Sequence, residues 1–315
     1  MYLFIGPNLL SGIGQVTKRY CDLVGGEYLT LGDSNCWPNL DRYTTGFAFI
    51  LPIDEHLGVI RKLAERCDKM IYMTVCETEP VSPAYAKLSE FNPLFVPSLF
   101  AKRILDEQFG WDCKILRHWA PWSRPQEQPV RAVSPAPTAY TFYTIGNIMD
   151  PRKNIQGLID AFKMCDFPDA RLVLKATCRD PVRLNIPGVL VINGLLSDDE
   201  MERIHAVGDC YVNCSHSEGV GMGAVEAAIR DKPVIIGDYG GLSEYVHTPW
   251  VIGCDRGPIG FDDFLFKSDM TWGHPRGEDI IKHMRDCYEK RVGRWDHSYT
   301  KDLLTRVKPI LECNL

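Results

Sequence analysis

Short apolar runs alternate with amphipathic stretches along most of the 315-residue sequence. In the first third, the apolar runs predict strands at Tyr2–Gly6, Tyr28–Leu31, Gly46–Leu51, Lys69–Cys76, Leu94–Val96 and Cys113–Leu116. Helical periodicity predicts helices at Ile13–Val24, Asp54–Cys67 and Leu99–Phe109, and Ser98 is placed to cap the last of them. Strands that alternate with helices of these lengths predict a parallel sheet.

The alternation restarts near residue 140. It predicts strands at Tyr140–Ile145, Arg171–Ala176, Val189–Ile192, Cys210–Ser215, Pro233–Ile236 and Val251–Ile252. Helices are predicted at Asn154–Cys165, Gly221–Arg230 and Gly240–Val246, and Ser197 with Glu200 fits a capping box for a helix that runs to about Val207. Residues 277–315 have a helical pattern and no further strand signal.

A proline-rich segment separates these two halves. Residues 121–137 contain five prolines and few periodic apolar positions, which is typical of a linker. The prediction is therefore an α/β protein with two doubly wound Rossmann-like domains that face a central cleft. The predicted boundaries are 1–122 for the first domain, 123–138 for the linker, 139–275 for the second domain, and 276–315 for helices that pack back across both. Ligands of such sheets bind at the carboxyl ends of the strands, so the cleft is the predicted site.

Composition narrows the class of protein. A hydrophobic fraction of 45% and a charged fraction of 24% are those of a globular protein. The net charge of -6, without a long run of like charges, disfavours nucleic-acid binding and leaves a local basic patch open. The first residues lack a basic segment followed by an apolar core, and no run approaches the ~18–20 apolar residues of a membrane span. We therefore expect a cytoplasmic protein without a transmembrane segment.

Cysteine usage supports a reducing compartment and raises one metal hypothesis. The 12 cysteines are scattered without a CxxC pair, so free thiols are expected rather than disulfides. Cys210, Cys214 and His216 lie close together on a predicted strand. Since no second ligand pair has the spacing of a zinc site, we interpret them as small buried residues beside a site and predict no metal.

The densest chemical signal is the segment Ser217-Glu-Gly-Val-Gly-Met-Gly-Ala-Val-Glu226, which follows a predicted strand and opens a predicted helix. Its glycines allow close backbone approach, and the N–H groups of a helix start favour an anion. A dinucleotide-binding fingerprint is the competing interpretation. The glycines, however, are spaced G-x-G-x-G, and the acidic residues flank the loop instead of following about 20 residues later.

These residues, with Lys232-Pro-Val-Ile and Gly240-Gly-Leu-Ser-Glu244, resemble the retaining GT-B glycosyltransferases of the large E-x7-E family, of glycosyltransferase family 4 type. Bacterial mannosyl- and glucosyltransferases and sucrose synthases belong to it. The resemblance implies that Glu218 lies beside the donor sugar and that Glu226 holds the ribose hydroxyls. The backbone of Gly219, Val220, Gly221 and Met222 would bind sugar hydroxyls and phosphate.

A second block, Gly146-Asn-Ile-Met-Asp-Pro-Arg-Lys-Asn154, resembles the segment whose arginine and lysine bind the nucleotide diphosphate in that family. Lys153 matches the lysine. Asn147 stands where the family has arginine, so phosphate neutralisation is expected from Lys153 with help from Arg152. Gly194 and Leu195 complete the predicted donor-binding set of this domain.

The first domain carries a weaker resemblance. Gly12 and Gly14 resemble the family's first glycine loop, and a tight turn explains them equally well. Thr74-Val-Cys-Glu77-Thr-Glu79 resembles a motif of mannosyltransferase-like members and predicts Glu77 as an active-site residue at the end of a strand. Glu79 is also explained as a helix cap, and His118 as a structural histidine.

The predicted activity is retaining transfer of a hexose from a UDP- or GDP-linked sugar to a hydroxyl of a glycan or a small molecule. Because the chain contains no Asp-x-Asp motif, no metal or other cofactor is expected. The resemblance implies that the catalytic residues are Glu218, Lys153 and Glu77. Three alternatives stay open: a phosphorylase-type reaction on the same frame, a non-catalytic sugar-nucleotide-binding protein, and transfer to a modified DNA base, which the acidic charge disfavours.

Overall fold

The computed structural model describes residues 1–32, 42–121, 139–178 and 180–315, and the predicted linker at 123–138 lies outside the described residues. The chain divides into two compact units. The first consists of residues 1–120, 257–272 and 302–315, and the second of residues 121–256 and 273–301. Each unit contains one six-stranded sheet.

The sheet of the first unit has the strand order β2-β1-β3-β4-β5-β6, and its strands pair in parallel. The strands are β1 (Tyr2–Gly6), β2 (Glu27–Thr30), β3 (Tyr43–Phe49), β4 (Cys67–Met73), β5 (Leu94–Val96) and β6 (Lys114–Ile115). The helices between them are α1 (Gly12–Val24), α2 (Asp54–Ala64) and α3 (Leu99–Phe109), and a 3-10 helix covers Pro83–Leu88.

Local sequence explains where these elements begin and end. Residues 3–6 of β1 are all buried, because a parallel sheet is covered on both faces and its strands are apolar throughout. Helix α3 begins after Ser98, whose side chain accepts a hydrogen bond from the Ala101 N–H. It ends at Gly110, which adopts the left-handed conformation with φ of 70°.

The sheet of the second unit has the order β12-β11-β10-β7-β8-β9, again with parallel pairing. Its strands are β7 (Tyr140–Gly146), β8 (Ala170–Ala176), β9 (Val189–Ile192), β10 (Cys210–Asn213), β11 (Val234–Gly237) and β12 (Val251–Ile252). Its helices include α4 (Ile155–Cys165), α5 (Asp198–Val207), α6 (Met222–Ala228) and α7 (Gly277–Glu289). The capping box of Ser197 and Glu200 opens α5, as the sequence predicts.

The remaining elements are two short strands and two helices near the C-terminus. Strands β13 (Cys254–Pro258) and β14 (Thr271–Pro275) form a separate two-stranded sheet, and helices α8 (Ser298–Thr305) and α9 (Val307–Asn314) follow α7. No helix among the described residues is both long enough and apolar enough to cross a membrane.

The predicted α/β fold with two doubly wound, Rossmann-like domains is confirmed, with differences in detail. β13 and β14 were not predicted, because Cys-Asp-Arg-Gly-Pro and Thr-Trp-Gly-His-Pro have no alternation of apolar and polar residues and contain glycine and proline. The predicted helix at Gly221–Arg230 is shorter, at Met222–Ala228, and the one at Gly240–Val246 is a 3-10 turn at Leu242–Glu244.

Candidate active site

The candidate site of the second unit lies where two neighbouring strands end. β7 and β10 pair in parallel, so the loops that follow Gly146 and Asn213 leave the sheet at the same edge. The loop after β7 forms a 3-10 turn at Pro151–Lys153, which Asp150 caps by accepting from the Arg152 N–H. The turn presents two consecutive cations toward the loop that follows β10.

The Glu218 carboxylate is the centre of this arrangement, and only 5% of the residue is exposed. Its Oε1 accepts hydrogen bonds from Lys153 Nζ at 2.6 Å, Ser215 Oγ at 2.8 Å and Asn213 Nδ2 at 3.2 Å. Its Oε2 accepts from Arg152 Nη1 at 3.2 Å. A buried carboxylate with this set of donors is compensated in both charge and hydrogen bonding.

The two cations also fix the protonation state of Glu218. Burial alone raises the pKa of this carboxyl, but the charges of Lys153 and Arg152 and the hydrogen bonds from Lys153 and Ser215 outweigh it and lower the pKa to about 2. Glu218 is therefore an anion at neutral pH. It cannot donate a proton there, but it can stabilise a positive charge that develops beside it.

Arg152 is held by more than its contact with Glu218. Its Nη1 also donates to the main-chain oxygen of Ser217 at 2.8 Å, and its Nη2 donates to Asp150 Oδ2 at 3.2 Å. The guanidinium thereby links the turn after β7 to the loop after β10. The position of Glu218 relative to Lys153 is consequently set from both loops.

Gly240 and Gly241 also contact the main chain of Glu218. Gly240 has a φ of +99°, and a Cβ there would lie 2.5 Å from the Glu218 main-chain oxygen. The N–H of Gly241 donates to that same oxygen at 2.8 Å. Gly240 is therefore needed for close contact between two backbone segments, and Gly241 contributes its N–H to the same contact.

Helix α6 follows this loop and carries the second glutamate. Gly221 precedes the helix in the left-handed conformation, with φ of 73°, and a Cβ at Gly223 would lie 2.3 Å from the Tyr211 hydroxyl. The start of α6 thus packs closely on the ends of the central strands. Glu226 lies on this helix with its Oε2 3.8 Å from His205 Nε2.

The other predicted donor-binding residues of this unit lie after β7 and β9. Asn147 is exposed, and its Oδ1 accepts from the Met149 N–H at 3.2 Å and from Cys178 Sγ at 3.0 Å. Gly194 has a φ of +89°, and Leu195 is 73% exposed. Asn147 is neutral, so Arg152 and Lys153 are the cations that the loop after β7 supplies.

Sequence reasoning missed several polar residues that support this site. Asn213 and Ser215 fall within the predicted strand Cys210–Ser215, where polar residues at the carboxyl end are a usable signal. Lys175 was also missed; it is 2% exposed and donates to the main-chain oxygens of Ala176 at 2.7 Å and Gly194 at 2.8 Å. Burial lowers the pKa of its ammonium group. Its signal was a lysine directly after the apolar run Leu172–Leu174 of a predicted strand.

The structure gives Cys210, Cys214 and His216 separate contacts. Cys210 Sγ donates to the Tyr211 main-chain oxygen, Cys214 Sγ donates to that of Asn154, and His216 Nδ1 lies 2.9 Å from that of Gly273. In the described part of the chain, no three side chains of His, Cys, Asp or Glu are grouped as metal ligands.

In the first unit, the two predicted glycines, Gly12 and Gly14, differ in whether the structure leaves room for a side chain. The N–H of Gly14 donates to Ser11 Oγ at 3.0 Å, and a Cβ at Gly14 would lie 2.2 Å from the main-chain oxygen of Asn8. A Cβ at Gly12 would contact nothing within 4 Å. Only Gly14 is therefore required by the tight turn between β1 and α1.

The acidic motif of the first unit follows β4. Glu77 is partly buried in this segment, and Glu79 forms an ion pair with Arg103 of α3. His118 is buried against the rings of Tyr20 and Phe49, and burial lowers its pKa to about 3. The imidazole of His118 is therefore neutral at physiological pH.

Comparisons with known proteins agree with this architecture. Residues 129–249 match the family model described as glycosyl transferases group 1. A search of curated proteins by sequence gives no match. Among solved structures, a glycosyltransferase from Rickettsia africae ESF-5 is similar over 99% of this chain and 92% of its own, with 11% identity and a TM-score of 0.58.

Two further structures contain nucleotides. Trehalose-6-phosphate from E. coli bound with UDP-2-fluoro glucose is 12% identical over 88% of this chain and 73% of its own, with a TM-score of 0.58. The pneumococcal O-GlcNAc transferase GtfA in complex with UDP and GlcNAc is 13% identical over 96% of this chain and 60% of its own, with a TM-score of 0.55. The chain thus has the fold of the GT-B glycosyltransferases, and its residues 129–249 are similar to the group 1 glycosyl transferases.

Proposed function

We propose that this protein is a retaining glycosyltransferase that moves a hexose from a nucleoside-diphosphate sugar to a hydroxyl of a glycan or small molecule. The observation that carries the proposal is the Glu218 carboxylate, held as a buried anion by Lys153 and Arg152 at the carboxyl edge of a parallel sheet. This cluster lies within the region that matches the group 1 glycosyltransferases.

Lys153 and Arg152 are proposed to bind the donor diphosphate. An ammonium group has three N–H donors and a guanidinium has five, so each can contact Glu218 and a phosphate oxygen at the same time. The neutral side chain of Asn147 cannot supply charge. Arg152 is therefore proposed to act as the second cation, which in related enzymes comes from the position of Asn147.

The proposed reaction breaks the bond between the anomeric carbon and the diphosphate oxygen. Positive charge develops at the anomeric carbon, and the anionic Glu218 beside it stabilises this charge. The acceptor hydroxyl attacks on the face that the leaving group vacates, which retains the configuration. The departing phosphate oxygen takes the acceptor proton, so the scheme requires no separate protein base.

Other residues complete the proposed site. Glu226 would hold the ribose hydroxyls of the donor, and the backbone of Gly219 to Met222 would contact the sugar and the phosphate. Gly194 and Leu195 are further donor-binding positions in the same unit. In the first unit, Gly12, Gly14 and Glu77 are the proposed contributions to the reaction.

The proposed donor class is a UDP- or GDP-hexose, and UDP is the first to test. Two proteins of similar fold were solved with UDP or a UDP sugar, which supports this order without assigning the donor. The proposal further holds that no divalent metal is required. Lys153 and Arg152 supply positive charge where a metal-dependent enzyme places its ion.

The proposal is tested by hydrolysis and binding of sugar nucleotides. UDP-glucose, GDP-mannose and an ADP-sugar are screened by thermal shift, since a ligand that binds the folded state raises the melting temperature. We expect one of these sugar nucleotides to raise the melting temperature. The protein should also release the sugar of that nucleotide slowly, and faster when an acceptor is added. Stabilisation without any sugar release would instead favour the non-catalytic binding protein, an alternative that the neutral Asn147 keeps open.

A further inference from the structure

A buried histidine, His205, lies next to Glu226. His205 is on helix α5 and is 1% exposed. Its Nδ1 is 3.0 Å from the hydroxyl of Tyr143 on β7, and its Nε2 is 3.8 Å from Glu226 Oε2 on α6. Among the described residues Nε2 has no hydrogen-bond partner, which is unusual for a buried polar atom.

The surroundings of His205 determine which nitrogen carries its proton. Burial lowers the pKa of the imidazole, and the Arg230 charge lowers it further against the raising effects of Glu226 and Glu202. The ring is therefore neutral at pH 7, with a single N–H. Burial also raises the pKa of Tyr143 well above its ordinary value, so the phenol keeps its proton.

One assignment of these protons gives the Tyr143 hydroxyl an acceptor and turns an N–H toward Glu226. If the Tyr143 hydroxyl donates to Nδ1, the imidazole proton lies on Nε2 and faces the Glu226 carboxylate. The opposite tautomer would place the Nε2 lone pair against that carboxylate and leave the phenol proton without this acceptor. The electrostatics thus select a row of donors that runs from Tyr143 through His205 to Glu226.

Close packing holds Tyr143, the first residue of this row, in place. A Cβ at Gly208 would lie 2.3 Å from the Tyr143 ring, and the Tyr211 ring packs edge-on against it at 5.1 Å between centroids. Tyr143 is therefore closely packed between Gly208 and Tyr211. The main chain at Glu226 is held as well, because Arg230 Nη1 donates to its oxygen at 2.7 Å.

We propose that His205, oriented by Tyr143, is a positioning residue that holds the Glu226 carboxylate in place for the ribose hydroxyls of the donor nucleotide. The inference rests on the proposed function, in which Glu226 contacts ribose. His205 and Tyr143 would not touch the ligand themselves. Their effect should therefore be specific to the ribose and should not extend to the base or the phosphates.

The test compares dissociation constants for UDP and 2′-deoxy-UDP, with GDP and 2′-deoxy-GDP in parallel, by isothermal titration calorimetry. Wild-type protein should prefer the ribonucleotide. His205→Phe keeps a planar ring but removes the donor, and should weaken ribonucleotide binding about tenfold while changing the 2′-deoxy value less than about twofold. Tyr143→Phe should shift the same ratio in the same direction by less. His205→Gln, which can place an amide donor near Glu226, should restore part of the preference.

His283→Phe is the matched control, because His283 is another buried histidine of the second unit, with its Nε2 2.9 Å from the main-chain oxygen of Val251. It should leave both constants unchanged. If His205→Phe fails to fold, the ratio in Tyr143→Phe decides the question, since this change keeps the ring and removes only the hydroxyl. Equal weakening of both nucleotides in the His205 and Tyr143 variants would show a structural role and overturn the inference.

The outcomes also separate this inference from the proposed function. If Glu226→Gln abolishes the ribose preference while His205→Phe and Tyr143→Phe leave it intact, the inference is wrong and the donor site stands. If wild-type protein binds none of UDP, GDP and ADP, both are overturned.

Discussion

Replacing Glu218 by glutamine preserves the shape of the side chain but removes the negative charge that Lys153 and Arg152 enclose. The new amide group would also turn a donor toward either the ammonium or the guanidinium, at contacts that are now 2.6 and 3.2 Å. The proposed reaction loses its stabilising anion, so turnover should fall by about 10²-fold or more. Binding of the nucleotide should change much less, because its phosphates are proposed to contact Lys153 and Arg152 rather than Glu218.

The same substitution has a predictable effect on stability. The pKa of Glu218 is lowered from 4.5 to about 2, which corresponds to a stabilisation of about 3 kcal/mol from the ionised carboxylate at neutral pH. Because the folded-state pKa lies below the unfolded-state value, this contribution is complete above pH 4.5 and is lost as the pH falls toward 2. The difference in unfolding free energy between wild type and Glu218→Gln should therefore shrink with acidification.

The assay measures sugar release from the donor together with urea unfolding at several pH values between 7 and 3. Glu90→Gln is the control, because Glu90 is also paired with an arginine, Arg61, but is half exposed and lies in the first unit. It should leave turnover unchanged and cost little stability. Near-normal turnover in a folded Glu218→Gln variant would refute the assignment of Glu218 to the reaction. A stability difference independent of pH would refute the electrostatic argument.

Three further predictions follow from the geometry. Gly240→Ala should destabilise the protein and abolish turnover, since its Cβ would lie 2.5 Å from the Glu218 main-chain oxygen. Gly260→Ala, at a φ of +80° with open space around it, is the control for conformational strain alone. Equal losses of unfolding free energy in the two variants, measured in urea, would contradict the account. Ser98→Ala should cost about 1 kcal/mol by removing the cap of α3, and an unchanged urea midpoint would contradict it. Turnover should persist in EDTA, and a loss that Mg²⁺ or Mn²⁺ restores would show that the proposed cations are insufficient.

The pattern of apolar residues was a good guide to the regular elements. Buried parallel strands are continuous apolar runs, and caps such as Ser98 are local features, so both can be read from a short window of sequence. The strands β13 and β14 could not be read in this way, because they are stabilised by pairing with each other and have no pattern of their own. The membership of residues 257–272 and 302–315 in the first unit depends on contacts across the whole chain.

The candidate site likewise has residues that could be predicted from the sequence and residues that could not. Its motif residues could be named from the sequence, and the doubly wound order explains why Lys153 and Glu218, 65 positions apart, lie at one edge of a sheet. Some supporting residues gave no such signal. His205 and Tyr143 look like ordinary interior positions until the structure shows which polar atoms they face.

The central claim is that Lys153, beside Glu218, binds the diphosphate of the donor. Its most direct test is calorimetric titration of UDP and GDP into wild type, Lys153→Ala and Lys163→Ala, the last being an exposed lysine on the neighbouring helix α4. The account predicts that one nucleotide binds wild type and Lys163→Ala alike, and binds folded Lys153→Ala at least about tenfold more weakly, as expected for loss of a charge-assisted contact. Equal affinity of all three proteins for that nucleotide would contradict it.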